Sequence, residues 1–211
     1  MNLEGMTINF LGDSITEGFG ITDPKDLYHQ IIKDKYKLKY AYNYGMGGTR
    51  IARQHTPSRE STRWDLSFGL RAEIMDRSAD AVVVFGGTND YGSGDAPFGT
   101  IDSTDPFTFC GAVNSLIIKL KNDFPNSKLV FVTPIHRIGE DNPSAPDSKT
   151  LADYAQAIAK ICETRSLPVI DLFAINPIDH QDTELLPDGL HPSVKGHSIL
   201  AKHIGEALTK I

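Results

Sequence analysis

The sequence predicts an α/β fold, a three-layer α/β/α sandwich around a central, mostly parallel, five-stranded sheet. Two observations lead there. Short β-rich runs alternate with amphipathic helical segments along the whole chain, and one run, Ala81 to Phe85 (AVVVF), is apolar at every position. Parallel strands need crossover connections, and helical crossovers cover both faces of a sheet. The 211 residues are enough for one such domain, spanning 1–211.

Thr7 to Leu11 (TINFL) reads as the first strand, stopped by Gly12. Asp23-Pro24 then opens a helical pattern carrying Leu27, Ile31 and Ile32. Lys39 to Tyr44 is a second strand, ended by the glycines of GMGG, and AVVVF is a third, buried on both faces. A helix from about Pro106 to Asp123, a strand KLVFVTP from Lys128, a helix from about Ser148 to Thr164 and a strand PVIDLF from Pro168 continue the alternation. A closing helix is expected after His191-Pro192, because Pro suits a first helical turn and Ile199, Leu200, His203, Ile204 and Leu208 recur at helical spacing. Thr49 to Phe68 and Gly92 to Asp105 are too long and polar to be simple connectors, which makes them candidate substrate-facing loops.

Composition narrows the function classes. With 40% hydrophobic and 23% charged residues and no apolar run near the ~20 residues of a membrane helix, the chain reads as a soluble protein without a membrane span. A net charge of -6 with scattered basic residues offers no stripe for a phosphate backbone, so nucleic acid is not an expected partner. Cys110 and Cys162 lie in helical patterns without metal or redox spacing and read as buried free thiols. MNLEGMTINFLGDS lacks a basic segment followed by a long apolar run, so no signal peptide is read and a cytoplasmic location is the default.

In an open α/β sheet, ligands bind outside the carboxyl ends of the strands. Four segments occupy that position here. GDSITEG puts Ser14 in a glycine-flanked turn after the first strand; alone, such a serine is more often a turn former. Asn43 to Thr49 (NYGMGGT) has glycines that admit close backbone approach, yet lacks the G-x-G-x-x-G spacing of a dinucleotide loop, so no cofactor is expected. GGTND sets the Asn89 amide just beyond AVVVF. PDGLHP places Asp188 three residues before His191, a spacing at which the carboxylate can accept from one ring nitrogen and leave the other for a nucleophile. Together they supply a nucleophile, Ser14, a base, His191, and its orienter, Asp188; the N–H groups of Ser14 and Gly48 and the Asn89 amide are the candidate oxyanion donors.

GDS, N-x-G-x-x-G, G-x-N-D and D-x-x-H, in this order from Phe10 to His191, resemble the signature blocks of the SGNH (GDSL-like) hydrolases. The resemblance implies a flavodoxin-like sandwich and a serine acylhydrolase using the same residues: Ser14 as nucleophile and oxyanion donor, Gly48 and Asn89 as donors, Asp188 and His191 as orienter and base. Two positions depart from the pattern, Ile15 for the common leucine and Gly47 for a frequent serine, and neither removes a catalytic group. Gly48 is preferred over Gly45 and Gly47 as donor because it falls on the family's spacing.

The family includes lipases, lysophospholipases, thioesterases and carbohydrate deacetylases. Gly92 to Asp105 lacks an apolar lining for a long acyl chain, whereas Trp64, Tyr91, His136 and Arg137, with Asp13, could contact a sugar or another polar alcohol. Short-acyl esters, among them acetylated carbohydrates, are therefore the expected substrates. Two competing readings are a metal-dependent phosphoesterase using Asp13, Asp90, Asp188 and His191 and a glycan-binding module without activity. The first finds no second His cluster or compact ligand motif, and the complete catalytic set weighs against the second. No catalytic metal is expected.

Overall fold

The computed structural model describes residues 1–144 and 147–211. Five strands, β1 (Thr7–Gly12), β2 (Tyr40–Gly45), β3 (Ala81–Phe85), β4 (Lys128–Val132) and β5 (Val169–Ile170), form one sheet in the order β2-β1-β3-β4-β5. Every neighbouring pair is parallel, so the sheet is wholly rather than mostly parallel. Gly12 pairs with both Gly45 and Phe85, and Phe85 with Val132. Four carboxyl ends are thus level, and the segments that leave them meet at one edge.

Alternation along the strands sends side chains to two separate cores. Ile8, Phe10, Val83 and Val130 pack with Tyr28 and Ile32 of α1 (Tyr28–Tyr36), and with Leu200, Ile204 and Leu208 of the C-terminal helix Val194–Lys210. Val82, Val84 and Phe131 pack instead with the helices α2 (Phe109–Asp123) and α3 (Leu151–Thr164). The C-terminal helix is α4, and the three layers are those expected from the period-two pattern of the strands. Cys110 and Cys162 are both buried and unpaired.

Element boundaries differ from the sequence expectation wherever a side chain caps the backbone. Pro24–Asp26 is a 3₁₀ turn, and extended backbone at Leu27 (φ -73°, ψ 137°) separates it from α1. The His197 ring of α4 accepts the Tyr28 N–H at 3.2 Å and so caps α1 from another helix. Thr108 accepts the Gly111 N–H and starts α2 three residues after Pro106, while Thr150 and Asp153 form a capping box that starts α3 at Leu151. β5 is two residues long because Asp171 accepts the Ala174 N–H and turns Leu172–Ile175 into a helical turn. Ser193 caps α4, which puts Pro192 just before the cap rather than in the first turn. Among the described residues no helix is long and apolar enough to cross a membrane.

Candidate active site

Ser14 opens a single helical turn, Ser14–Glu17, at the end of β1, with Asp13 as its cap and Gly18 (φ 99°) ending it in the left-handed region. Two glycines make room for that turn. A Cβ on Gly12 would stand 2.0 Å from Thr16 Oγ1, and one on Gly45 would stand 2.1 Å from the Glu17 nitrogen. Beneath it, Thr16 Oγ1 meets the Tyr28 hydroxyl at 3.0 Å, and the His29 Nε2–H reaches the Thr16 carbonyl at 3.2 Å. The Ser14 turn is therefore bolted to α1.

The Ser14 hydroxyl lies 2.9 Å from His191 Nε2, across 177 positions of sequence. On the other side of the ring, His191 Nδ1 lies 2.6 Å from Asp188 Oδ2. Asp188 Oδ1 accepts the backbone N–H groups of Leu190 and His191, which fixes the carboxylate within its own loop. Partial burial raises the affinity of Asp188 for a proton, but these donors outweigh it and hold the carboxyl below the usual carboxylate range. Phe19 covers the imidazole, with ring centroids 4.3 Å apart, and is itself 58% exposed.

The glycine loop has its N–H groups differently occupied. Gly45 donates to Asn43 Oδ1 and Gly47 to Glu17 Oε2, both at 2.8 Å, whereas the Gly48 N–H meets no acceptor among the described residues. Ser14, as the first helical residue, has an N–H without an intrahelical partner. Asn89 donates one amide hydrogen to the Thr49 carbonyl at 3.1 Å, which orients the side chain and leaves its second N–H available. Gly48 adopts φ +76° and a Cβ there would stand 2.5 Å from the Trp64 indole, so only glycine fits.

Ser14, Gly48, Asn89 and His191 line one cleft of about 630 Å³, together with Trp64, Phe19 and charged residues of its rim. Trp64 arrives on the short turn Ser61–Trp64 of the loop expected to face substrate. The other expected contacts lie elsewhere. Asp13 is 2% exposed and accepts the Ile15 N–H. Tyr91 is buried with its one hydroxyl hydrogen shared between the Gly139 and Asn142 carbonyls, and Arg137 donates to Thr88 Oγ1 beside it. His136 lies between Glu140 and the Phe173 carbonyl. The second expected loop is largely exposed; Ala96 and Phe98 anchor it against the α2–α3 core, and only its start reaches the cleft through Ser93.

Sequence reasoning missed the cleft's charged rim and its internal brace. Arg63 pairs with Glu17, and Arg50 donates to Ser58 and Ser93. Arg71, 5% exposed, donates to the carbonyls of Gly12 and Tyr44 and to Thr49 Oγ1, tying together the ends of β1 and β2 and the glycine loop. No local motif marks such an arginine, because three of its four hydrogen-bond partners are 22 to 59 positions away. Burial lowers its pKa to about 10, with Asp13 and Glu17 opposing that shift. Burial pushes Asp13 up to about 7, against the Ile15 N–H and Arg71, and Asp90 up to about 6, against N–H groups of Ala52 and Ile51. Asp90 accepts those two N–H groups and Asp13 serves its cap, and among the described residues neither gathers with Asp188 and His191 into a group that could hold the metal of a phosphoesterase.

This sheet edge, with serine, imidazole and carboxylate in line, has the architecture of a hydrolase that works through an activated hydroxyl. Residues 10–199 match the model of the GDSL-like lipase/acylhydrolase family, and the chain belongs to that family of carboxylic ester hydrolases. No curated protein matches the sequence. Among solved structures, one is 35% identical with a TM-score of 0.85, covering 100% of this chain and 99% of the other. A protein from Lactobacillus plantarum is 28% identical with a TM-score of 0.81, covering 98% of each chain. An acetyl xylan esterase shares the fold at 21% identity and a TM-score of 0.67, covering 96% of this chain and all of its own.

Proposed function

We propose that the protein is a serine esterase that cleaves carboxylic esters through an acyl-enzyme on Ser14, acting on acetyl and other short-acyl esters of carbohydrates or similar polar alcohols. The observation that carries this reading is the pair of in-line contacts, Ser14 Oγ to His191 Nε2 and His191 Nδ1 to Asp188, opening on the cleft. His191 takes the hydroxyl proton as Ser14 attacks the ester carbon, and Asp188 holds the ring in the tautomer with its free lone pair on Nε2. The negative charge that develops on the carbonyl oxygen is met by the N–H groups of Ser14 and Gly48 and the second Asn89 amide hydrogen. His191 then gives its proton to the departing alcohol. Water enters, loses a proton to His191 and releases the acid, restoring Ser14.

The substrate class follows from the cleft's walls. Trp64 and Phe19 offer aromatic faces, while Glu17, Glu60, Arg50 and Arg63 offer hydrogen bonds, a combination suited to a hydroxylated alcohol. The likeness to an acetyl xylan esterase supports this reading by analogy. A panel of nitrophenyl esters of increasing acyl length, run beside acetylated xylo-oligosaccharides, tests it. The reading predicts that kcat/KM is highest for acetyl and falls with each added pair of methylenes. A rise towards decanoyl, or preference for lysophospholipid or acyl-thioester substrates, would overturn the substrate class.

A further inference from the structure

His136, Glu140 and His180 place one ligand atom each within 4.8 Å of one another, on the same sheet edge as Ser14 but outside its cleft. His136 follows β4, Glu140 lies one turn further, and His180 lies on the segment between Leu172–Ile175 and the Asp188 loop. The His136 ring is stacked on Phe173 at 3.9 Å and lies 5.9 Å from the His180 ring. Its Nε2 is 2.9 Å from the Phe173 carbonyl and its Nδ1 is 2.7 Å from Glu140 Oε1. Both neighbours are acceptors, yet a neutral imidazole carries one proton. With Nε2–H given to the carbonyl, the Nδ1 lone pair and the carboxylate oppose each other at 2.7 Å, and they must either share a second ring proton or part to admit a cation that both can bind.

We propose that His136, Glu140 and His180 form a site for a divalent transition ion of the zinc class. Two imidazoles and a carboxylate, with a fourth position left to water, are a donor set that suits zinc and its neighbours better than calcium or magnesium. The outer contacts are in place: the Phe173 carbonyl fixes His136, and the Arg137 N–H donates to Glu140 Oε2 at 2.9 Å. Tetrahedral zinc ligands stand roughly 3.4 Å apart, so the 2.7 Å pair of His136 and Glu140 must open slightly while the third ligand moves inward by about 1 Å. His180 can make that move, being partly exposed with no side-chain hydrogen bond among the described residues. A bound ion would link the turn after β4 to the segment leading to Asp188. The same turn already abuts the Asp188 loop, where the Ile138 N–H donates to the Gly189 carbonyl at 2.8 Å.

The test uses the full chain without a histidine tag, stripped with chelator and titrated with Zn²⁺ by calorimetry and with Co²⁺ by visible absorption. One equivalent should bind, giving the d–d bands of a four- or five-coordinate cobalt ion. His180→Ala and Glu140→Gln should each weaken binding by about 100-fold, at or beyond the upper end of losses seen on removing outer-shell partners. His191→Ala should bind as the wild type does, which separates this site from the Ser14 cleft. His180→Ala should keep its ester hydrolysis, since His180 does not line that cleft. Absence of stoichiometric binding, or binding that survives His180→Ala and Glu140→Gln but disappears in His191→Ala, would overturn the assignment.

Discussion

Ser14 is held by short contacts on every side, and Asn89 is held by one. The Thr49 carbonyl takes one of its amide hydrogens, and the proposed mechanism assigns the other to the charge that develops on the ester oxygen. Asn89→Ala should therefore lower kcat by about 10²- to 10³-fold with little change in KM, the usual cost of one oxyanion donor. A loss below tenfold in steady-state kinetics would remove Asn89 from that role. At this scale the sequence carried the four blocks, because each lies in a glycine-marked turn after a strand. It did not carry Phe19 or Arg63, whose approach to His191 and Glu17 depends on how loops fold back. It misdirected Tyr91, His136 and Arg137, whose side chains turn to neighbouring backbone or carboxylate groups rather than to the cleft.

Single elements are joined at the site by Arg71, from the helical turn Phe68–Arg71. It donates to the last carbonyl of β1, the next-to-last carbonyl of β2 and the hydroxyl that follows the glycine loop. Arg71→Met would keep much of the volume, leave the Gly12 carbonyl with the Met46 N–H alone and take the guanidinium donors from the Tyr44 carbonyl and Thr49 Oγ1, at about 1–3 kcal/mol for each group left unsatisfied. A loss of about 3 kcal/mol or more is expected in urea unfolding, together with a lower kcat. Unchanged stability would mean that the strand ends do not depend on this brace. Strand and helix order were readable in sequence because two-residue and 3.6-residue periods are local signals. Boundaries were not, since caps such as His197 on α1 act across 169 positions and Asp171 converts expected strand into helix.

Over the whole molecule, four buried titratable groups act in opposite senses between pH 4 and 7. Burial lowers His29 and His197 to about 4 from 6.5, so their stabilising contribution is present above 6.5 and is lost as pH falls towards 4. Burial raises Asp13 to about 7 and Asp90 to about 6 from 3.8, so theirs is present below 3.8 and is lost as pH rises through those values. At their limits His29, His197 and Asp90 each correspond to about 3 kcal/mol and Asp13 to about 4, so the two pairs nearly cancel. Unfolding free energy in urea should accordingly be almost level from pH 4.5 to 7 in the wild type. Asp13→Asn keeps the cap and removes one opposing carboxyl, so its stability should fall on acidification across that window. A wild type that loses several kcal/mol there would contradict the balance. Activation of the Ser14 hydroxyl is read by treating wild type and Ser14→Ala with a fluorophosphonate and mapping adducts by peptide mass spectrometry. A single adduct on Ser14, absent from the folded variant, is the predicted result. A folded wild type that takes no adduct, or an adduct that persists in Ser14→Ala, would contradict it.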